Sequence, residues 1–184
     1  MVNGTRPRVL LALATAVFVV AWLLAAALLP DRVPLHFGAD GEVDQWAGRY
    51  SALATFALVG VGLGGLLGGI AAASDRIPLG WLNTPHKDWW TATPARTAEL
   101  RRRTRVEGEV LAAATLVFLA AMVLVTLRAA RSADPHLDAL FIAVLIGYLV
   151  FVLGWSVAVH RRRAPEPGSA PEGRGQSGDR VAGP

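Results

Sequence analysis

Four long stretches of this chain contain no charged residue. They run from Val9 to Leu29, Ser51 to Ala73, Val110 to Leu127 and Ala139 to Val159, and each is 18 to 23 residues long. A helix needs about 20 apolar residues to cross a hydrocarbon core of about 30 Å. Only 17% of the residues are charged, against about a quarter in an ordinary soluble domain. The pattern therefore predicts an all-α membrane protein whose residues 1–163 form four transmembrane helices.

The distribution of basic residues predicts how these helices are oriented. If the N-terminus lies inside, fourteen Lys and Arg residues fall in inner segments and four in outer segments. Inner loops of membrane proteins carry such an excess of positive charge. We therefore expect a multi-pass protein of the cell membrane with both termini in the cytoplasm. Because the basic residues flank the spans and form no basic domain, we expect no nucleic acid partner.

The segment Leu29 to Tyr50 is polar, rich in turn residues and joins the first two spans, which predicts a short external cap. Pro30 ends the first span because proline cannot continue the hydrogen-bond ladder of a helix. Gly38 to Gly41 tolerate the left-handed conformations that turns require. Val33 to Phe37 then folds back on Glu42 to Trp46, either as a small hairpin or as an irregular cap. The chain has no cysteine, so no disulfide holds the cap together.

His36 and three nearby acidic residues, Asp40, Glu42 and Asp44, are the candidate functional groups of this cap. Imidazole and carboxylate groups bind zinc and harder cations, but the spacing here matches no familiar metal-binding loop. We therefore expect a structural role in which His36 and Asp44 bond to backbone groups of the loop. We expect no metal, no cofactor and no catalytic centre.

Gly60, Gly64 and Gly68 recur every four residues in the second span. A helix face without side chains lets another helix approach closely in a membrane. This face predicts packing against the first or the third span, with formation of a homo-oligomer as the alternative.

The segment after the second span contains three tryptophans, Trp81, Trp89 and Trp90. Their amphipathic rings predict a position among the lipid headgroups. Within this segment, Asn83 to Lys87 either caps a turn before Pro85 or grips a lipid headgroup through the charge of Lys87.

Thr93 followed by Pro94 predicts the start of a helix that continues through a basic cluster into the third span. Two pairs in this helix, Arg103 with Glu107 and Arg105 with Glu109, have the spacing of ion pairs. The basic residues that we expect to attract anionic lipid of the bilayer are Arg101, Arg102, Arg103 and Arg105.

The last part of the chain predicts a fourth span and a tail. Asp134 and Pro135 repeat the cap-then-proline signal, so we expect the span to begin there and to continue to about His160. Residues 164–184 contain four prolines and five glycines and little apolar bulk. This composition predicts a disordered cytoplasmic tail.

Two motifs follow the first and second spans. The first comprises Leu29-Pro30, Val33-Pro34-x-His36-Phe37, Gly41-x-x-Asp44 and Arg49, with Trp46 in the same loop, and the second is Asn83-x-Pro85-x-Lys87-x-x-Trp90. Together they cover about residues 9–95 and resemble a bacterial membrane-protein family of unknown function. The domain of that family also forms the N-terminal part of the Sdp-toxin immunity proteins. The chain departs from the family pattern at Gly38, Val43 and His86, where asparagine, proline and asparagine are usual.

The resemblance implies a multi-span membrane protein, and three classes of function can be compared. A binding protein for an external peptide or lipid, giving immunity or sensing, draws on Phe37, Trp46 and Tyr50 beside the acidic residues, a surface suited to a cationic amphipathic peptide. A regulatory anchor would capture a cytoplasmic partner through the basic helix and the tail. A transporter or membrane enzyme is disfavoured because the spans contain no charge and the sequence has no nucleophile with a nearby base. We therefore expect a non-enzymatic protein of the immunity-like class.

Overall fold

A computed structural model describes residues 5–164 of the chain. In this part the protein is mostly helical, with four long helices: α1 (Thr5–Leu28), α2 (Arg49–Ala72), α4 (Pro94–Ala130) and α5 (Ala139–Arg162). Each is long and apolar enough to cross a membrane, which confirms the predicted class of fold. The predicted tail falls almost wholly outside the described residues.

Shorter elements connect the long helices. Strands β1 (Arg32–Phe37) and β2 (Val43–Gly48) join α1 to α2. Two turns of 3₁₀-helix, Ala73–Asp75 and Leu79–Trp81, and the short helix α3 (Lys87–Thr91) join α2 to α4. The β1–β2 end is called the hairpin end below, and the opposite end, with residues 74–93 and Arg163, is called the loop end.

Helix α4 is the centre of the bundle, because α1, α2 and α5 all pack against it. Small side chains line its contact with α1, including the buried Ala14 and Ala21 of α1 and Ala113 and Ala120 of α4. Lipid tails are as apolar as leucine, so helices in a membrane gain stability mainly from close packing, which small residues permit. By contrast, α5 contains no buried residue and contacts the bundle through α4 alone among the long helices.

The α2 glycines lie against the neighbouring helices. A Cβ atom placed on Gly60 would lie 2.0 Å from the Phe18 ring of α1, and one on Gly64 would lie 2.8 Å from Leu116 of α4. A Cβ on Gly68 would lie 3.7 Å from Leu11. This geometry corresponds to packing within one chain, the first of the two alternatives for this face.

The end of α1 and the start of α4 agree with the local signals of the sequence. Helix α1 ends two residues before Pro30, as expected. Helix α4 begins at Pro94, where the hydroxyl of Thr93 accepts a hydrogen bond from the backbone of Arg96 at 3.3 Å, and it continues unbroken to Ala130. Both predictions are confirmed.

The predicted start of the fourth span at Asp134 is wrong. Helix α5 begins at Ala139, and Asp138 is its N-cap, accepting a hydrogen bond from the backbone N–H of Phe141 at 3.0 Å. The preceding residues instead contact the hairpin: the backbone N–H of Leu137 donates to Gly41 at 2.9 Å. This tertiary pairing holds the chain extended past Pro135 and delays the helix.

Candidate functional site

The segment between α1 and α2 forms an antiparallel hairpin, which decides between the two conformations considered for the cap. Arg32 pairs with Gly48, and Pro34 with Trp46, before the register shifts on either side of His36. In the turn, the backbone N–H of Gly38 donates to Glu42 at 2.8 Å. Gly41 has a φ of 86°, a left-handed conformation that glycine adopts without a steric penalty.

The root of the hairpin is fixed to α1. The side chain of Arg49, the first residue of α2, donates to the carbonyl oxygen of Ala26 in the last turn of α1. Carbonyl groups in the last turn of a helix lack partners within the helix, and a cation there also opposes the negative end of the helix dipole. The backbone N–H of Arg49 donates to Asp31 at 3.1 Å. Val33 is fully buried in the core that α1 and α4 form.

The tip of the hairpin is fixed to α5 and to the turn before it. Besides the Leu137–Gly41 hydrogen bond, Glu42 forms an isolated β-bridge with His136. The ring of Phe37 packs against that of Phe141, with 6.2 Å between their centroids. With root and tip both attached, the hairpin is a preformed surface at the end of the bundle.

His36 and Asp44 bond to each other and not to the loop backbone, so the predicted hydrogen-bond partners were wrong. The distance between Nδ1 of His36 and Oδ1 of Asp44 is 2.6 Å, and the side chains are 63% and 53% exposed. Asp40 does bond to the backbone, accepting from Glu42 at 3.1 Å. The pair therefore links the two strands on the solvent side of the hairpin.

The exposed side of the hairpin combines acidic and aromatic groups. Asp40, Glu42 and Asp44 are all exposed, and Tyr50 is 84% exposed at the start of α2. Trp46 is 40% exposed, and the guanidinium group of Arg32 lies 4.8 Å from the centre of its ring. Within residues 5–164, no group of three His, Asp or Glu side chains is arranged to hold a metal ion.

Asp138 connects the hairpin end of α5 to α4. Its carboxylate forms an ion pair with Arg128 in the last turn of α4. The hydrogen bond from Phe141 and, to a lesser extent, the charge of Arg128 hold the pKa of this carboxyl group below its usual value.

At the loop end, the nearly buried Arg163 connects three parts of the chain. Its guanidinium group donates to Thr84 at 3.0 Å and to Thr104 at 3.2 Å, and forms an ion pair with Glu107. Its backbone carbonyl accepts a hydrogen bond from the indole of Trp90 at 3.0 Å. In the sequence, Arg163 is one of several basic residues that flank the fourth span. No local signal in the sequence separates it from Arg161 and Arg162.

Two residues of the internal motif, Lys87 and Trp90, make contacts within the chain at this end. Lys87 donates to the carbonyl oxygen of Gly80 at 2.9 Å. Trp90 is only 4% exposed and lies under the guanidinium group of Arg103, so it does not take the expected headgroup position, whereas Trp81 is 82% exposed. The remaining motif residues, Asn83 and Pro85, lie in the connection before α3.

The expected ion pairs within α4 do not form. Arg103 pairs with Glu99 at 2.7 Å, and Arg105 pairs with Asp75 of the preceding loop. Glu107 pairs with Arg163, and Glu109 is 3.6 Å from Arg8 of α1. Except for Arg103, which pairs with Glu99 of the same helix, these side chains find their partners on neighbouring elements. Of the basic cluster, Arg102 is the most exposed, while Arg101 donates to the carbonyl groups of Ser74 and Ile77.

The family comparison identifies the part of the chain that carries the hairpin. Residues 9–61 match the family model for a domain of unknown function, DUF1648. The DUF1648 segment therefore contains most of α1, the whole hairpin and about the first half of α2, whereas the motif at 83–90 lies outside it. No curated protein and no solved structure matches the chain.

Proposed function

We propose that this multi-span protein resembles the Sdp-immunity-like class in function, and that its hairpin binds a cationic amphipathic peptide at the outer face of the membrane. Binding there would protect the cell against an envelope-active peptide or sense it. The observation that carries the proposal is the acidic and aromatic surface of a hairpin that is held at both its root and its tip.

The fixed hairpin favours binding because little conformational entropy would be lost when a peptide docks. The segment Leu29 to Tyr50 contains four acidic and two basic residues. One of the basic residues, Arg49, bonds to α1, and the other, Arg32, stacks on Trp46. The acidic side chains Asp40, Glu42 and Asp44 therefore dominate the exposed charge, which attracts a cationic partner.

The position of the hairpin supports the same class of ligand. A peptide that acts on membranes concentrates at the bilayer surface, next to the ends of the spans. The excess of basic residues at the loop end supports an outer location for the hairpin.

The alternative function, an anchor for a cytoplasmic partner, depends on the basic residues of α4 and on the tail, which lies almost wholly outside the described residues. Arg101 and Arg105 bond to the loop that precedes α3, and Arg103 bonds to Glu99 and to the carbonyl oxygen of Arg162. Because these side chains are engaged within the chain, the hairpin offers the more accessible charged surface.

The test compares survival of deletion, wild-type and overexpression strains exposed to a panel of cationic amphipathic peptides. Glu42→Gln removes one exposed charge at the hairpin, and Asp88→Asn removes one exposed charge at the loop end as a matched control. We expect overexpression to protect, Glu42→Gln to weaken protection, and Asp88→Asn to leave it unchanged. Combining Asp40→Asn and Asp44→Asn with Glu42→Gln should weaken it further. Equal survival of all strains would contradict the proposal.

A reporter fused after Gly41 examines the location separately. It should report the outer side of the membrane, while a reporter fused to the tail should report the cytoplasm. The opposite result would remove the hairpin from the reach of external peptides.

A further inference from the structure

A lateral groove lies at the loop end, far along α2 from the hairpin. It has a volume of about 700 Å³, within the range of about 300–1,000 Å³ that is usual for ligand sites. The residues that define it are Gly65, Leu66, Gly69, Ile70, Trp81 and Arg163. Its walls are apolar along α2, and its far end is polar, where Thr84 and Thr104 join Arg163.

The floor of the groove is open because two glycines of α2 have no neighbour. No atom lies within 4 Å of a Cβ placed on Gly65 or on Gly69, in contrast to Gly60 and Gly64 on the packed face. Leu66 and Ile70 beside them are 58% and 49% exposed. In a helix long and apolar enough to span the membrane, such residues face lipid, so a molecule from the bilayer can enter the groove sideways.

The polar end of the groove offers hydrogen-bond donors. The terminal nitrogens of the Arg163 guanidinium group contact Thr84, Thr104 and Glu107. Its buried Nε–H has no acceptor in the part of the chain that the structure describes. An unpaired buried donor is unfavourable, and a phosphate oxygen is a strong acceptor for arginine. Arg76, which is exposed, precedes Ile77, one of the residues that line the groove.

We propose that this groove binds one phospholipid with an anionic headgroup. An acyl chain lies over Gly65 and Gly69 between Leu66 and Ile70, and the phosphate lies at the end formed by Arg163 and Thr84. The groove is apolar where the bilayer is apolar and polar at its interface, so it matches the two ends of a lipid. This site is independent of peptide binding at the hairpin.

The glycines provide a clean test. A Cβ atom at Gly65 or Gly69 would meet no atom within 4 Å, so Gly65→Leu and Gly69→Leu place the rest of the leucine side chain in the groove. The Cβ position of Gly62 is equally free, and Gly62→Leu places the same side chain on α2 outside the groove. The purified variants are mixed in detergent with phosphatidylglycerol or phosphatidylcholine, and retained lipid is counted by native mass spectrometry. We expect wild type and Gly62→Leu to retain one phosphatidylglycerol, and Gly69→Leu to lose it. The preference for phosphatidylglycerol should be about fivefold, the ratio for roughly 1 kcal/mol from one basic residue near an anionic group.

A second measurement leaves the glycines of the groove unchanged. Titration with phosphatidylglycerol brominated in its acyl chains should quench the fluorescence of wild type more than that of Trp81→Phe, because Trp81 lines the groove. Equal lipid retention by Gly69→Leu and Gly62→Leu, no preference between the two lipids, or equal quenching of wild type and Trp81→Phe would each overturn the proposal.

Discussion

Replacing Gly60 with alanine tests the packing that positions the hairpin above α1 and α2. A Cβ atom at Gly60 would lie 2.0, 2.4 and 2.7 Å from three atoms of the Phe18 ring. Carbon atoms pack at about 3.5–4.0 Å, so the ring would have to move by roughly 1.5 Å. Phe18 is 6% exposed and sits among other buried side chains, so little free space is available for that shift.

Overpacking of this kind destabilises by about 1–3 kcal/mol. The matched control is Gly62→Ala, whose new methyl group would meet no atom within 4 Å. Alanine favours a helix over glycine by up to about 1 kcal/mol, so the control should be neutral or slightly stabilised. The two variants carry the same chemical change two residues apart, and the expected difference comes from the Phe18 contact.

The assay is denaturant unfolding of the purified protein in mixed micelles. Gly60→Ala should lower the free energy of unfolding, and Phe18→Leu combined with Gly60→Ala should restore part of the loss, because a smaller side chain makes room for the new methyl group. The double-mutant cycle isolates this coupling. If Gly60→Ala and Gly62→Ala had equal stability, or if the effect of Gly60→Ala did not depend on Phe18, the packing of Gly60 against Phe18 would be wrong.

Three further predictions concern single side chains. His36→Ala and Asp44→Ala should each reduce stability in detergent by only about 0.2–1 kcal/mol, because the pair is exposed, and the double variant should be no worse than either single one. Asp138→Asn should destabilise at neutral pH but not in acid. The folded pKa of Asp138 lies below its unfolded value of about 3.9, so its contribution to stability is present above that pH and is lost as the pH falls through the folded pKa. A stability difference between wild type and Asp138→Asn that stayed constant between pH 3 and 7 would contradict this. His86→Asn should raise the thermal midpoint, because His86 has a left-handed φ of 55° that asparagine tolerates better; an unchanged or lower midpoint would count against it.

The four spans and most helix ends could be predicted because they depend on local chemistry. An uncharged run of sufficient length can cross a bilayer whichever helices it packs against. Pro30 and Pro94 mark helix ends because of the geometry of their own backbone, which does not depend on tertiary contacts. The start of α5 could not be predicted in the same way. Asp134-Pro135 and Asp138 are both acceptable caps, and the choice depends on the pairing of Leu137 with Gly41, a residue almost a hundred positions earlier.

Long-range geometry also explains the errors at the loop end. The spacing along α4 predicted an ion pair between Glu107 and Arg103, but in the folded chain Glu107 pairs with Arg163. Trp90, whose position in the sequence resembles that of an interfacial tryptophan, instead lies under Arg103 and donates to the carbonyl oxygen of Arg163. Sequence spacing gives the neighbours on one helix and not the partners that come from other elements.

The hairpin was partly predictable. Turn residues indicated that the segment folds back, but the direct His36–Asp44 bond depends on register shifts on both sides of His36. The attachment of the hairpin to α1 and α5 depends on the arrangement of the whole bundle.

Direct binding to the hairpin is the measurement that tests the central proposal. A fluorescent cationic amphipathic peptide is titrated into the protein in nanodiscs of uncharged lipid, with empty nanodiscs, Glu42→Gln and Asp88→Asn measured in parallel. We predict binding to wild type and Asp88→Asn that exceeds binding to empty nanodiscs, weakens in Glu42→Gln and falls with added salt, because exposed charges are screened. Equal binding to empty nanodiscs, or the same affinity for Glu42→Gln as for wild type, would contradict recognition by the acidic hairpin.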